Sequence, residues 1–147
     1  MKYLHTTSDY VTAIEREQAK RSTTYPKILL KMKKNGQMEA VIAAQFQMQG
    51  IQNQRLNLAL TAIRDGKIES HVSVVFQELV REFKLRKKLY PYFIFKHLIT
   101  EDTANIEISV WRELTIYFAE TFLGDAQLAI DALETKRRKR NAESNTG

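Results

Sequence analysis

Residues 92–99, Tyr92-Phe93-Ile94-Phe95-Lys96-His97-Leu98-Ile99, are the one stretch of this chain that would suit a β-strand. Aromatic and β-branched side chains fit a pleated, half-buried surface. A strand needs a partner, however, and no second segment of that kind exists in the 147 residues. The stretch therefore reads as buried helix, and the chain as all-α.

Working outward, every other long segment has helical periodicity. Towards the N-terminus, a helix from about 70 to 89 carries Val72, Phe76, Leu79 and Phe83 on one face. Before it lies a longer one, about 38–64, with two neighbouring stripes. The first is Ile42, Phe46, Leu56, Leu60 and Ile63; the second is Ala44, Met48, Ile51, Leu58 and Ala62. Gly50 should weaken this helix in its middle. A first helix, capped by Ser8 or Asp9, is expected to stop near Thr24, because the residue before a proline avoids the α region. Pro26 then opens a short helix, PKILLKMKK, closed by Asn35-Gly36.

On the C-terminal side, Thr100 or Asp102 can cap a helix bearing Ala104, Ile108, Trp111, Phe118 and Phe122. Gly124-Asp125 reads as a stop and a fresh start for a last helix, about 125–136. The expected architecture is a single helical domain over residues 1–140 with five or six helices. It is built from two hairpin units, about 8–65 and 70–123, plus a C-terminal helix, and ends in a disordered tail, 141–147.

The two units echo each other. Arg16-Glu17, Arg21 and Tyr25-Pro26 recur as Arg81-Glu82, Arg86 and Tyr90-Pro91, and Ile28-Leu29-Leu30-Lys31 recurs as Phe93-Ile94-Phe95-Lys96, all at an offset of 65 residues. Each Glu precedes its Arg by four positions, the favoured order for a helical ion pair worth a few tenths of a kcal/mol. Each Tyr lies one turn further on, within reach of the guanidinium. The motif reads as the brace of a hairpin corner, with a repeated ligand contact through Arg21, Lys31, Arg86 and Lys96 as the alternative.

The second unit, Glu78-Leu79-Val80-Arg81-Glu82-Phe83-Lys84-Leu85-Arg86-Lys87-Lys88-Leu89-Tyr90-Pro91, resembles a segment of small helical proteins of bacteriophages and prophages. In them such a helix is followed by a short turn and a second helix with an alanine-led start like Ala104. The likeness covers about residues 76–118 and departs at Tyr92–Phe95, where a polar turn would be expected. It implies a helical fold and a phage or mobile-element setting, and supplies no catalytic residues.

Charge gives the first functional lead. The net charge is +6, but three windows, 20–34, 81–88 and 136–140, carry +6, +4 and +5, so the rest of the chain is −9. Clustered cations are the sequence footprint of a surface for polyanions, although solvated helix faces produce the same pattern. The favoured expectation is non-enzymatic binding of nucleic acid, or of a nucleic-acid-handling complex. Contacts would be phosphate-directed, through Lys27, Lys31, Lys33, Lys34, Lys84, Lys87, Lys88, Arg137, Arg138, Lys139 and Arg140. The amide-rich run around Gly50 gives a second lead, with Gln45, Gln49, Gln52 and Asn53 as candidate partner contacts. This supports two alternatives: a protein–protein effector, such as an anti-CRISPR-like inhibitor of a host defence nuclease, or an oligomeric assembly component.

Other chemistry finds no footing. The chain has no Cys, which excludes disulfides, thiolate metal sites and a thiol nucleophile. His5, His71 and His97 lack helical metal-ligand spacing, and His97 beside aromatics reads as a packed core or surface residue rather than a base. Glu101-Asp102 reads as first-turn acids at a helix start, and Trp111, Tyr117, Phe118 and Phe122 as core. No phosphate-cradling glycine loop can be assembled. No cofactor, metal or enzymatic activity is expected. With no signal-peptide core and no apolar run long enough for a membrane, the expected location is the cytoplasm.

Overall fold

A computed structural model describes residues 2–135, so Arg137, Arg138, Lys139 and Arg140 lie outside the described residues. Among these residues there are five α-helices and no strand: α1 (Thr7–Lys34), α2 (Glu39–Asp65), α3 (Val72–Phe95), α4 (Glu101–Phe118) and α5 (Ala126–Glu134). A π-helical turn, Ala119–Leu123, extends α4.

The helix ends follow from local chemistry. Thr6, rather than Ser8 or Asp9, caps α1: its hydroxyl accepts from Asp9 N at 3.2 Å while Asp9 Oδ2 accepts from Thr6 N at 2.8 Å, a capping box. Thr100 caps α4, and Asp125 caps α5 by accepting from Leu128 N at 3.0 Å. Gly66 ends α2 at φ 75°, a left-handed conformation that glycine adopts without steric cost.

Pro26 does not break the chain. α1 runs straight through it, so the two helices expected over residues 8–34 are one helix of 28 residues. Pro91 likewise sits inside α3. A proline forfeits one hydrogen bond to the carbonyl four residues earlier. Ser22 and Pro26 are both exposed, as are Lys87 and Pro91, so each orphaned carbonyl lies on a water-facing side of its helix.

α1 packs against α2, α2 against α3, α3 against α4, and α4 back against α1, while α5 rests on α3 and α4. The core gathers Ile14, Leu56, Ala59, Leu79, Trp111, Leu114 and Phe118, all essentially inaccessible to water. Each buried Leu, Ile or Phe contributes about 1.5–3 kcal/mol of transfer free energy. The aromatic stretch after Pro91 is not buried as expected: Tyr92, Phe95 and Leu98 are exposed, and α3 ends at Phe95. Only one side of this terminal turn meets the bundle.

Burial is uneven along α1 and α2. From Pro26 to Met48 no residue is buried, and only Leu29, Met32, Ile42 and Gln45 are half-buried, at helical spacing along the seam between the two helices. The far half of α1 and the near half of α2 thus form a two-helix arm beyond the core.

Candidate functional site

The repeated motif builds a buried ionic cluster rather than two separate hairpin braces. Arg21 and Arg86 are 1% and 8% exposed, and Glu17, Glu78 and Glu82 are equally enclosed. Within α1, Arg21 Nε donates to Glu17 Oε2 at 3.1 Å; within α3, Arg86 donates to Glu82. The pairs also exchange partners. Arg86 Nη2 donates to Glu17 Oε1 at 2.6 Å, and Arg21 Nη2 donates to both Glu82 and, at 2.8 Å, Glu78. Arg81 closes the rim with bonds to Glu78 and Glu82.

Three guanidinium groups thus meet three carboxylates, and the cluster is neutral. Burial alone would push Glu82 up, but Arg86, Arg21 and Arg81 outweigh it and hold its carboxyl below the usual range. Burial likewise works against the charge on Arg21 and Arg86, and the facing carboxylates raise both above the ordinary arginine value. Arg21 also donates to the carbonyl of Gln52 at 3.0 Å, fastening α2 to the cluster.

The aromatic partners of the two arginines differ. Arg21 lies 5.4 Å from the centre of the Tyr25 ring, as the spacing suggests, whereas Arg86 stacks at 4.0 Å on Trp111 instead of Tyr90. Tyr90 donates its hydroxyl to Glu107 of α4. Sequence spacing cannot reveal Trp111 or Glu78 as members, because each enters from a helix position with no counterpart in the repeat.

These pairings thin out the basic windows. Arg21, Arg81 and Arg86 belong to the cluster, which leaves lysines at the surface. Lys27, Lys31, Lys33 and Lys34 are exposed on the arm, and Lys84, Lys87 and Lys88 are exposed on α3. None of the seven pairs with an acid among the described residues. The amides divide differently. Gln49 is buried and donates to the carbonyl of Tyr25 at 3.1 Å, Gln52 accepts from the Tyr25 hydroxyl at 3.0 Å, and Asn53 accepts from Arg21 at 3.4 Å. All three stitch α2 to α1; Gln45 is half-buried in the same seam.

The arm also exposes apolar surface that the charge pattern did not single out. Phe46 is 67% exposed and Met38 71%, and Ile28, Leu30, Val41, Met48 and Ile51 are exposed as well. Comparison with known protein families, curated proteins and solved structures gives no match.

Proposed function

We propose that the chain is a non-enzymatic binding protein whose working surface is the α1–α2 arm, and that it docks there onto an acidic, partly apolar protein surface. The observation that carries this reading is the bare arm itself: a helical pair with several large apolar side chains and no buried residue from Pro26 to Met48. Exposed apolar surface of that extent marks an interaction site in a soluble protein.

The second apolar stripe of α2 supports the same reading. Ala44, Met48 and Ile51 fall in helical register with Leu58 and Ala62. Leu58 and Ala62 are packed into the core, while Ala44, Met48 and Ile51 stand open. A partner helix laid on the arm would continue the burial that the bundle provides lower down. Charge selects its type. Lys27, Lys31, Lys33 and Lys34 face only one acid on the arm, Glu39, so an acidic partner is favoured and the same arm of a second copy is disfavoured. In this reading the bundle consists of two hairpin units plus α5, with the ionic cluster holding the units together, in a phage-encoded effector.

Nucleic-acid binding is the second reading, favoured by the exposed, unpaired Lys84, Lys87 and Lys88. One experiment separates the two. An acidic amphipathic helical peptide and a DNA duplex are titrated against the full chain between about 50 and 200 mM salt. Docking on the arm predicts peptide binding that Met48→Asp abolishes. Duplex binding that falls by orders of magnitude with salt, is lost on replacing Lys84, Lys87 and Lys88, and ignores Met48→Asp would overturn the first reading for the second.

A further inference from the structure

Away from the arm, α1, the end of α3 and α4 enclose a cavity of about 540 Å³, within the usual range for small-molecule sites. Arg86 reaches it from the ionic cluster. Its two terminal nitrogens are engaged by Glu82 and Glu17, but Nε is buried with no hydrogen-bond partner. A buried donor left unpaired is costly, so an acceptor that entered this cavity and displaced the side-chain atoms covering Nε would relieve a penalty already built into the fold.

The walls define what kind of acceptor fits. Trp111, Tyr90 and Phe93 supply aromatic surface, and Ala13, Val110 and Ile106 supply aliphatic surface. The charges cancel: Arg16, Lys20 and Arg86 balance Asp9, Glu17 and Glu107. An ion of either sign would lose hydration there without a net opposite charge to compensate. At the mouth, Thr12 and Asp9 are exposed and offer partners for hydroxyl groups.

We propose that this cavity binds an uncharged aromatic heterocycle of nucleoside size, with a ring nitrogen or carbonyl oxygen accepting from Arg86 Nε and sugar-like hydroxyls at the mouth. The inference is independent of the arm, which shares no residue with the cavity.

Trp111 is the only tryptophan of the chain and lines the cavity, so its fluorescence reports occupancy directly. The experiment titrates the full chain with adenosine, uridine and adenosine monophosphate, following Trp111 emission and, in parallel, heat by calorimetry. Saturable adenosine or uridine binding is expected, with the monophosphate at least about tenfold weaker. Arg86→Lys, which removes Nε but keeps the charge, should abolish it. Because that change touches the buried cluster and can unfold the chain, Ile106→Trp provides the second arm. Ile106 is 60% exposed at the mouth, so a larger side chain there narrows the entrance without entering the core. It should weaken nucleoside binding at least about tenfold by calorimetry. No saturable binding of either nucleoside to the folded chain, equal affinity for the monophosphate, or unchanged affinity in Ile106→Trp would each overturn the proposal.

Discussion

Arg86 of α3 and Glu17 of α1 meet at 2.6 Å, although each already has an ion-pair partner four residues away on its own helix. Arg21 and Glu82 make the reciprocal contact. Burying charges is compensated only while every member keeps its partners, and removing one leaves an uncompensated charge in a dry site. Replacing Arg21 with Met is therefore expected to destabilise the chain by about 3–5 kcal/mol, measured as the loss of unfolding free energy in urea. Replacing exposed Lys33 on the same helix should change it by less than about 0.5 kcal/mol.

The cluster also sets how the chain responds to acid. Glu82 titrates below the ordinary glutamate range in the folded state, because Arg86, Arg21 and Arg81 outweigh the cost of its burial. Its stabilising contribution is thus fully present above the unfolded-state value and is lost as pH falls through the lower, folded value. Urea midpoints measured from neutral pH downward should hold steady until the ordinary glutamate range and then decline. In Glu82→Gln the midpoint should be lower at neutral pH and its decline shallower. An equally steep decline in that variant would show that Glu82 is not the group responsible.

The fold was legible in the sequence to the extent that periodicity governs it. The faces through Phe76, Leu79 and Phe83 and through Ala104, Trp111 and Phe118 are buried as their spacing implies. Pro26 misled because the proline rule is local: a long helix with an open side can lose one hydrogen bond to water and continue. The exchange of partners between Glu17–Arg21 and Glu82–Arg86 was hidden for a different reason. Each pair is already explained by its i,i+4 spacing, so nothing in either motif calls for a distant partner. The bare arm was hidden because the α2 stripe reads the same along its length; only the position of α3 decides which half is covered. The cavity draws on Ala13, Tyr90 and Val110, positions whose residue types mark only packing.

Gly50 lies in the middle of α2, at an exposed position where an added Cβ meets nothing within 4 Å. Its backbone is helical, so glycine there brings only a larger entropy loss on folding. Gly50→Ala should raise stability by about 0.5–1 kcal/mol, seen as a higher midpoint in chemical denaturation. A loss of stability would mean that α2 bends at this point and needs the glycine.

His97 follows α3 with φ 58°, where Leu98 N donates to the carbonyl of Phe93 at 2.9 Å and closes the helix in a Schellman turn. Gly36 holds the matching position after α1, at φ 73°. A side chain costs about 1–2 kcal/mol in this left-handed conformation, partly offset by the lower chain entropy of a non-glycine residue when unfolded. His97 is exposed and so gains little packing in return. His97→Gly is expected to stabilise the chain by about 0.5–1 kcal/mol in thermal or urea unfolding. A destabilised variant would show that the imidazole makes a contact that outweighs the backbone strain.

Along α2 the same kind of side chain should matter very differently above and below the end of the core. Leu56 is fully buried, whereas Phe46, ten residues earlier on the same helix, is 67% exposed. Leu56→Ala removes apolar surface from a packed interior and should cost about 2–5 kcal/mol. Phe46→Ala leaves no cavity and should change stability by less than about 0.5 kcal/mol, although the side chain is larger. Amide exchange should follow the same boundary. Amides between residues 39 and 46 should exchange through local opening, and those around Leu56 only on global unfolding. If Phe46→Ala were as costly as Leu56→Ala, the arm would be packed against something in the isolated chain. Its apolar surface would then no longer be open to a partner.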